Sequence, residues 1–176
     1  MFAGRSSRSE AVTSRRRPDT AASTIADSFN HEIICAVTES RGTSPTVGLA
    51  FVNITTTEAI LCQIVDTQTY VRSLHKLQVL EPSTILFSST ALFPTKSKLF
   101  SIVEDNIIGP TIVSLDRKYW NETSGIDYVQ NLAFGEDVEA IKVSLGGNYF
   151  ATCCFAAVGV RFCGLFIYTE KFFFRP

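Results

Sequence analysis

The chain has 176 residues, 45% apolar and 19% charged, with a formal net charge of −1. That length and composition fit one ordinary domain with tails and exclude a wholly disordered chain. The near-zero charge excludes a whole-chain field toward nucleic acid or membrane, so any such contact has to be local.

Residues 1–30 are rich in Ser, Thr, Ala and Arg, with too little apolar content to build a core, and read as a disordered basic tail. Met1–Arg17 contains Arg5, Arg8, Arg15, Arg16 and Arg17 but no apolar run of the kind a secretory signal needs. Arg15, Arg16 and Arg17 are candidates for a tail contact with DNA or an import receptor, set against the plainer reading of a solvated arm. With no secretory signal, the Asn-x-Thr sequences at Asn53 and Asn121 read as chance.

Order begins at Ile33. Ile33–Thr38, Val47–Ile54 and Ala59–Val65 are short apolar runs joined by polar turns, which predicts a three-strand meander. The last two alternate imperfectly, as strands buried on both faces do. The period then changes. Tyr70, Leu74 and Leu77 fall on one helical face, with Asp66 or Thr67 as N-cap. Thr84–Ser88 is a strand. Thr95 is placed to cap a second helix carrying Leu99, Ile102, Val103 and Ile107, ended by Gly109-Pro110. Thr111–Leu115 is a fifth strand. The order β-β-β-α-β-α-β predicts an α/β domain of ribonuclease H-like architecture, with the later strands parallel to the first and right-handed crossovers.

Beyond Gly125 the chain reads as helical. One helix is capped by Ser124 and runs to Leu132, a second covers roughly Glu136–Leu145, and a third starts near Asn148 after Gly146-Gly147. These are expected to leave the α/β domain. Arg161–Pro176 fits no element. This end of the chain, from Phe150 on, holds seven of the fourteen phenylalanines. It predicts poor solubility through an exposed apolar patch. Tyr149–Tyr168 is long enough for a membrane anchor, but Arg161 near its middle argues against one.

Catalytic chemistry is hard to find. Two-metal nuclease chemistry needs carboxylates converging from strand centres and helix ends. The first strand has none, and the fourth ends in Ser88-Ser89. Asp66 reads as a helix cap and Asp116 as a turn residue. Glu104 and Asp105 lie on a polar helix face. There is no phosphate-binding glycine loop and no serine elbow, and His31 and His75 are isolated. The five cysteines, Cys35, Cys62, Cys153, Cys154 and Cys163, are odd in number and lack CxxC spacing. They read as small hydrophobes of a reducing compartment, not as disulfides or zinc ligands. No catalytic residue, metal or cofactor is assigned. What remains is Arg117, Lys118, Tyr119 and Trp120, a basic pair and two rings at the carboxyl end of the fifth strand. They could contact a DNA backbone or another domain, or the rings could pack beneath the sheet edge while Asn121–Ser124 open the next helix.

The run Arg117–Gly125 (RKYWNETSG), with Val47–Phe51 upstream and Gln63–Tyr70 between them, resembles the MutS family, in its eukaryotic meiotic branch. The resemblance covers about residues 33–158. It implies a connector domain over residues 31–123, ribonuclease H-like but without nuclease function. The start of the helical lever, or core, domain would follow over 124–160, and residues 161–176 would be non-family sequence. It implies a fragment that is not itself an enzyme, an interaction and relay module lacking the ATP- and magnesium-binding domain of the whole protein. That whole protein would pair with a sister homologue, MutS homologue five, as an ATP-driven clamp on branched DNA such as Holliday junctions. It would promote crossovers on meiotic chromosomes in the nucleus, away from membranes. A metal-dependent ribonuclease H-like nuclease and a free-standing DNA-binding module are the alternatives.

Overall fold

A computed structural model describes residues 32–162 and 171–175. The arginines of the basic tail, His31 and Cys163 lie outside the described residues. The meander forms as β1 (Ile33–Glu39), β2 (Thr46–Asn53) and β3 (Glu58–Val65). Its antiparallel registers run from Ile33↔Asn53 to Glu39↔Val47 and from Thr46↔Val65 to Asn53↔Glu58. β4 (Thr84–Ser88) is parallel to β1, and β5 (Thr111–Leu115) is parallel to β4. A short β6 (Phe173–Arg175) is parallel to β3, and the sheet order is β5-β4-β1-β2-β3-β6. The mixed α/β layout with later strands parallel to the first is the one the sequence predicts.

Alternation along the strands sorts side chains onto two faces. Cys35, Val37, Val47, Leu49, Phe51, Ile85 and Phe87 face one side. There α1 (Val71–Leu80) contributes Leu77, and α3 (Lys98–Asn106) contributes Leu99, Phe100 and Val103. Ile34, Ala36, Ala50, Val52, Ala59, Leu61 and Leu86 face the other. That side is covered by α4 (Glu122–Leu132), α5 (Val138–Leu145) and α6 (Tyr149–Phe162). The result is a helix-sheet-helix sandwich with two cores.

This packing corrects the expectation that the chain leaves the α/β domain after about residue 125. Residues 151–159 of α6 are all buried, the pattern of a helix enclosed on every side. α6 lies close on the sheet because its neighbours there are small. A Cβ on Gly48 would stand 2.3 Å from the carbonyl carbon of Phe150. Cys154 donates its thiol hydrogen to the Gly48 carbonyl at 3.2 Å. Across α6, a Cβ on Gly125 of α4 would stand 2.3 Å from the Thr152 carbonyl oxygen. Gln63 of β3 pins the start of α6 from both ends of its amide. It accepts from the Phe150 amide at 2.9 Å and donates to the Gly147 carbonyl at 3.2 Å. One otherwise orphaned first-turn N–H of the helix is thereby satisfied.

The predicted caps shift by a few residues. Thr67–Tyr70 close a turn, so α1 starts after Tyr70, which is left-handed at φ 52°. Asp66 still serves the helix, accepting from both the amide and the hydroxyl of Ser73 at 2.8 Å. Thr95 does not cap α3, because bends at Phe93–Thr95 delay the helix. Ser97 does, its hydroxyl accepting from the Phe100 amide at 3.2 Å. Asn121, not Ser124, caps α4, its side-chain Oδ1 accepting from the amides of Thr123 and Ser124. A four-residue helix α2 (Ser89–Leu92), too short to show a period, was not predicted.

The described part of the terminal segment is not an exposed apolar patch. Phe172 is buried and Phe174 packs against the second core, leaving Phe173 half exposed. No helix among the described residues is long and apolar enough to cross a membrane.

Two outcomes are expected. Gly48→Ala should destabilise by about 2–4 kcal/mol in urea unfolding, because the added methyl meets helix backbone. Gly159→Ala should cost less, because its Cβ meets the ring of Tyr128 rather than backbone. Asp66 supplies the second outcome. Burial pushes its carboxyl up, but the hydrogen bonds from Ser73 and Thr67 outweigh that and hold it below the ordinary value. Its contribution is therefore full above the unfolded pKa of about 3.9 and is lost as pH falls through the lower folded value. Asp66→Asn should lose about 2 kcal/mol at pH 7 and flatten the loss of stability between neutral pH and about pH 3, read by urea unfolding at both.

Candidate nucleic-acid interface

β1, β4 and β5 run in the same direction, so their carboxyl ends open on one edge of the sheet. In such sheets the crevice outside the carboxyl ends is where ligands meet side chains. A cleft lies there, in two joined lobes of about 440 and 460 Å³. The end of β1 and the following turn supply Thr38, Glu39, Ser40 and Arg41. The β4–α2 junction supplies Ser88 and Thr90, and the end of β5 supplies Arg117.

Local bonding sets this lining. The Ser40 hydroxyl accepts from the Thr46 amide at 2.8 Å, closing the β1–β2 turn. Gln68 ties that turn to the β3–α1 loop by donating to the Thr43 carbonyl at 2.9 Å. The Ser88 and Thr90 hydroxyls lie 3.0 Å apart. The one carboxylate on this lining, Glu39, accepts from the Tyr70 hydroxyl. Burial, then the Glu39 bond, pushes the Tyr70 phenol well up, so it keeps its proton and its donor role. Arg41 and Arg117 are exposed, and neither forms a salt bridge among the described residues. The cleft thus sets two guanidinium groups that make no salt bridge among the described residues and several hydroxyls around one occupied carboxylate, with Trp120, Tyr149, Phe150 and Cys153 also lining its first lobe. Guanidinium groups and hydroxyls are groups that can hydrogen-bond phosphate oxygens.

The four residues of the aromatic loop point to different surroundings, though Arg117 and Trp120 both line the first lobe of the cleft. Arg117–Tyr119 form one 3-10 turn after β5. Arg117 lines both lobes of the cleft. Lys118 stays local, 3.6 Å from Asp116 and 4.8 Å from the centre of the Tyr119 ring. The Tyr119 hydrogen bond, then the Tyr119 and Asp116 charges, raise its pKa. Tyr119 is partly buried against the second core, and Trp120, 7% exposed, is inside it. The Trp120 indole N–H is buried without a hydrogen-bond partner. Arg41 is the residue that sequence reading missed. Its signal was available, because it follows the first of three parallel strands and such turns border the crevice.

Asp66 and Asp116 follow β3 and β5, four strand spacings apart, or roughly 19 Å at about 4.8 Å each. Two-metal sites hold their ions about 4 Å apart, so these carboxylates cannot share one. No group of three or more His, Cys, Asp or Glu among the described residues is placed to hold a metal ion. Cys35 and Cys154 are fully buried, and burial pushes both thiols well up, so they remain protonated. His75 is exposed on α1.

No protein-family model matches the chain. Three curated proteins are similar to it, all called MutS protein homolog 4. That of Mus musculus is 31% identical over 128 residues, 72% of this chain and 13% of that protein. That of Homo sapiens is 33% identical over 128 residues, again 72% and 13%. That of Saccharomyces cerevisiae is 30% identical over 151 residues, 85% of this chain and 17% of that protein. The chain therefore spans between 13% and 17% of the length of these relatives. Among solved structures, the Fowlpox virus resolvase in complex with substrate Holliday junction DNA is similar over 76% of this chain and 99% of its own, with a TM-score of 0.50 and 14% identity. The structure of that resolvase alone gives the same values. This likeness establishes a ribonuclease H-like fold.

Trp120→Phe should cost under about 1.5 kcal/mol, because it keeps the ring's burial and gives up an N–H that pairs with nothing. Trp120→Ala should cost about 3–5 kcal/mol. Urea unfolding of both chains distinguishes this packing role from one in which the indole N–H matters.

Proposed function

We propose that this chain, a MutS protein homolog 4-like region of a MutS-family meiotic protein, is a non-catalytic module that helps hold branched DNA through the cleft at the carboxyl ends of β1, β4 and β5. The observation that carries the reading is the lining. Where a ribonuclease H-like nuclease would gather metal-binding carboxylates, this cleft presents Arg41, Arg117 and hydroxyls beside Trp120, Tyr149 and Phe150, with Glu39, its one carboxylate, held by Tyr70. Exposed guanidinium groups and hydroxyls bind phosphate oxygens, and they position a nucleic acid without reading its bases. The Fowlpox virus resolvase, of the same fold, was crystallised with Holliday junction DNA, which makes a four-way junction the first ligand to try.

In the whole protein the module would relay between this contact and an ATP- and magnesium-binding domain outside these 176 residues. Pairing with MutS homologue five, clamp formation on recombination intermediates, promotion of crossovers and residence on meiotic chromosomes in the nucleus belong to the same proposal. Lys118, bound locally, would add less to the DNA contact than Arg117. Arg15, Arg16 and Arg17 could add a second contact from the amino-terminal tail.

The test is junction binding by the chain across a salt series, with magnesium present and the DNA inspected for cutting. Binding should weaken steeply with salt. Arg41→Ala and Arg117→Ala should each lower affinity severalfold and reduce the slope of log affinity against log salt by about 1. Lys118→Ala should change it less. Unchanged binding by the Arg41→Ala/Arg117→Ala double variant would sink the contact. Magnesium-dependent cleavage would replace it with the nuclease reading.

A further inference from the structure

The outer edge of β3 carries a second feature, independent of the cleft. Without β6, the meander would end on the unpaired N–H and C=O groups of an eight-residue strand. Such an edge is a template for another strand. Here the chain's own terminal segment lies along it, in register Glu58↔Phe173, Ala59↔Phe174 and Ile60↔Arg175. The Phe173 amide donates to the Thr57 carbonyl at 2.9 Å, and the Phe172 amide donates to the Leu132 carbonyl at 2.7 Å. The segment thus sits in a groove between β3 and the end of α4.

Its side chains use the groove as a bound peptide would. Phe172 and Phe174, two apart and on one face, enter the second core, and Phe174 meets Phe155 edge-on at 5.3 Å. Phe173 turns the other way and packs on Phe134 at 4.8 Å between ring centres. Arg175 pairs with Glu58, and Lys171 donates to the Asn131 carbonyl at 2.8 Å. The resident strand has only three residues. The β3 edge continues past it along Leu61–Val65, and a groove of about 300 Å³ lined by Leu61, Ile141 and Leu145 opens beyond Phe174 and Arg175. A longer parallel strand would run into that space.

We infer that the β3 edge and its apolar socket form a strand-addition site, filled in cis by Lys171–Arg175, whose external partner is an extended protein segment with aromatic residues two apart followed by arginine. Main-chain hydrogen bonds would supply affinity, and the pockets for alternate side chains would supply the choice of sequence. A resident of three residues is a short strand, and a longer segment that also occupies the groove along Leu61 and Leu145 would displace it.

The test uses the whole chain and a labelled synthetic peptide matching Lys171–Pro176, followed by fluorescence anisotropy. A Phe172→Ser/Phe174→Ser chain, its own segment disabled, should bind the peptide at least tenfold tighter than the unaltered chain. The same peptide with alanine at both aromatic positions should not bind. Glu58→Lys should weaken binding of the arginine peptide and favour one with glutamate in its place. Amide hydrogen exchange in β1 and β2 reports whether the fold persists. If the double-serine chain loses that protection, Phe173→Pro takes its place, since that half-exposed residue contributes an amide to the ladder. Absence of peptide binding to the vacated chain, equal binding to both chains, or binding that ignores the aromatic positions would overturn the inference.

Discussion

The structure turns on how closely α6 lies on the sheet. Gly48 has no side chain where the backbone of Phe150 passes, and Ala36 and Ala50 keep the surrounding surface shallow. The helix answers with small residues at its buried positions, Ala151, Cys154 and Ala157. A shallow seam of this kind gains dispersion contact along its whole length and tolerates little added volume. It also makes the second core possible. Without α6, the face carrying Ile34, Ala50, Val52 and Leu86 would be open to water. Gln63 sets the position of α6 along the sheet by holding both sides of its first turn. Strand ends, aromatic loop and terminal segment all take their positions from this sandwich. Trp120 packs in the core α6 completes, and Phe174 meets Phe155 of α6 itself.

Much of the fold was legible in the residues. Five strands and the two middle helices have periods long enough to be read, and their order alone pointed to the ribonuclease H-like layout. Cap positions were read two to four residues away because several polar residues compete near each helix start and only turn geometry decides among them. The role of α6 was harder to see. A run such as Ala-Thr-Cys-Cys-Phe-Ala-Ala-Val has no polar face, and only the glycine opposite it in β2 reveals that the helix is enclosed. β6 has three residues and no period of its own. Its strand character comes from β3, some hundred residues earlier in the chain, so nothing local announces it.

The cleft was half legible. Arg117 stood out because it sits among aromatics after an obvious strand. Arg41 did not, because a lone arginine in a Ser-Gly-Thr turn looks like solvent-facing charge. Only the parallel pairing of β1 with β4 brings the two turns to one edge. The basic pair Arg117-Lys118, adjacent in sequence, separates in space. One guanidinium faces the cleft, and the ammonium beside it is engaged by Asp116 and Tyr119. Neighbours in sequence are thus poor guides to shared function at a strand end, where a tight turn sends successive side chains in different directions.

The thiol of Cys154 gives the seam an internal gauge. It is sealed between helix and sheet, points its hydrogen at the Gly48 carbonyl, and burial keeps it protonated. A protonated, enclosed sulfur is inert to alkylating reagents. Its reaction rate would therefore clock how often the layers part, and would separate breathing of the sandwich from complete unravelling of the chain.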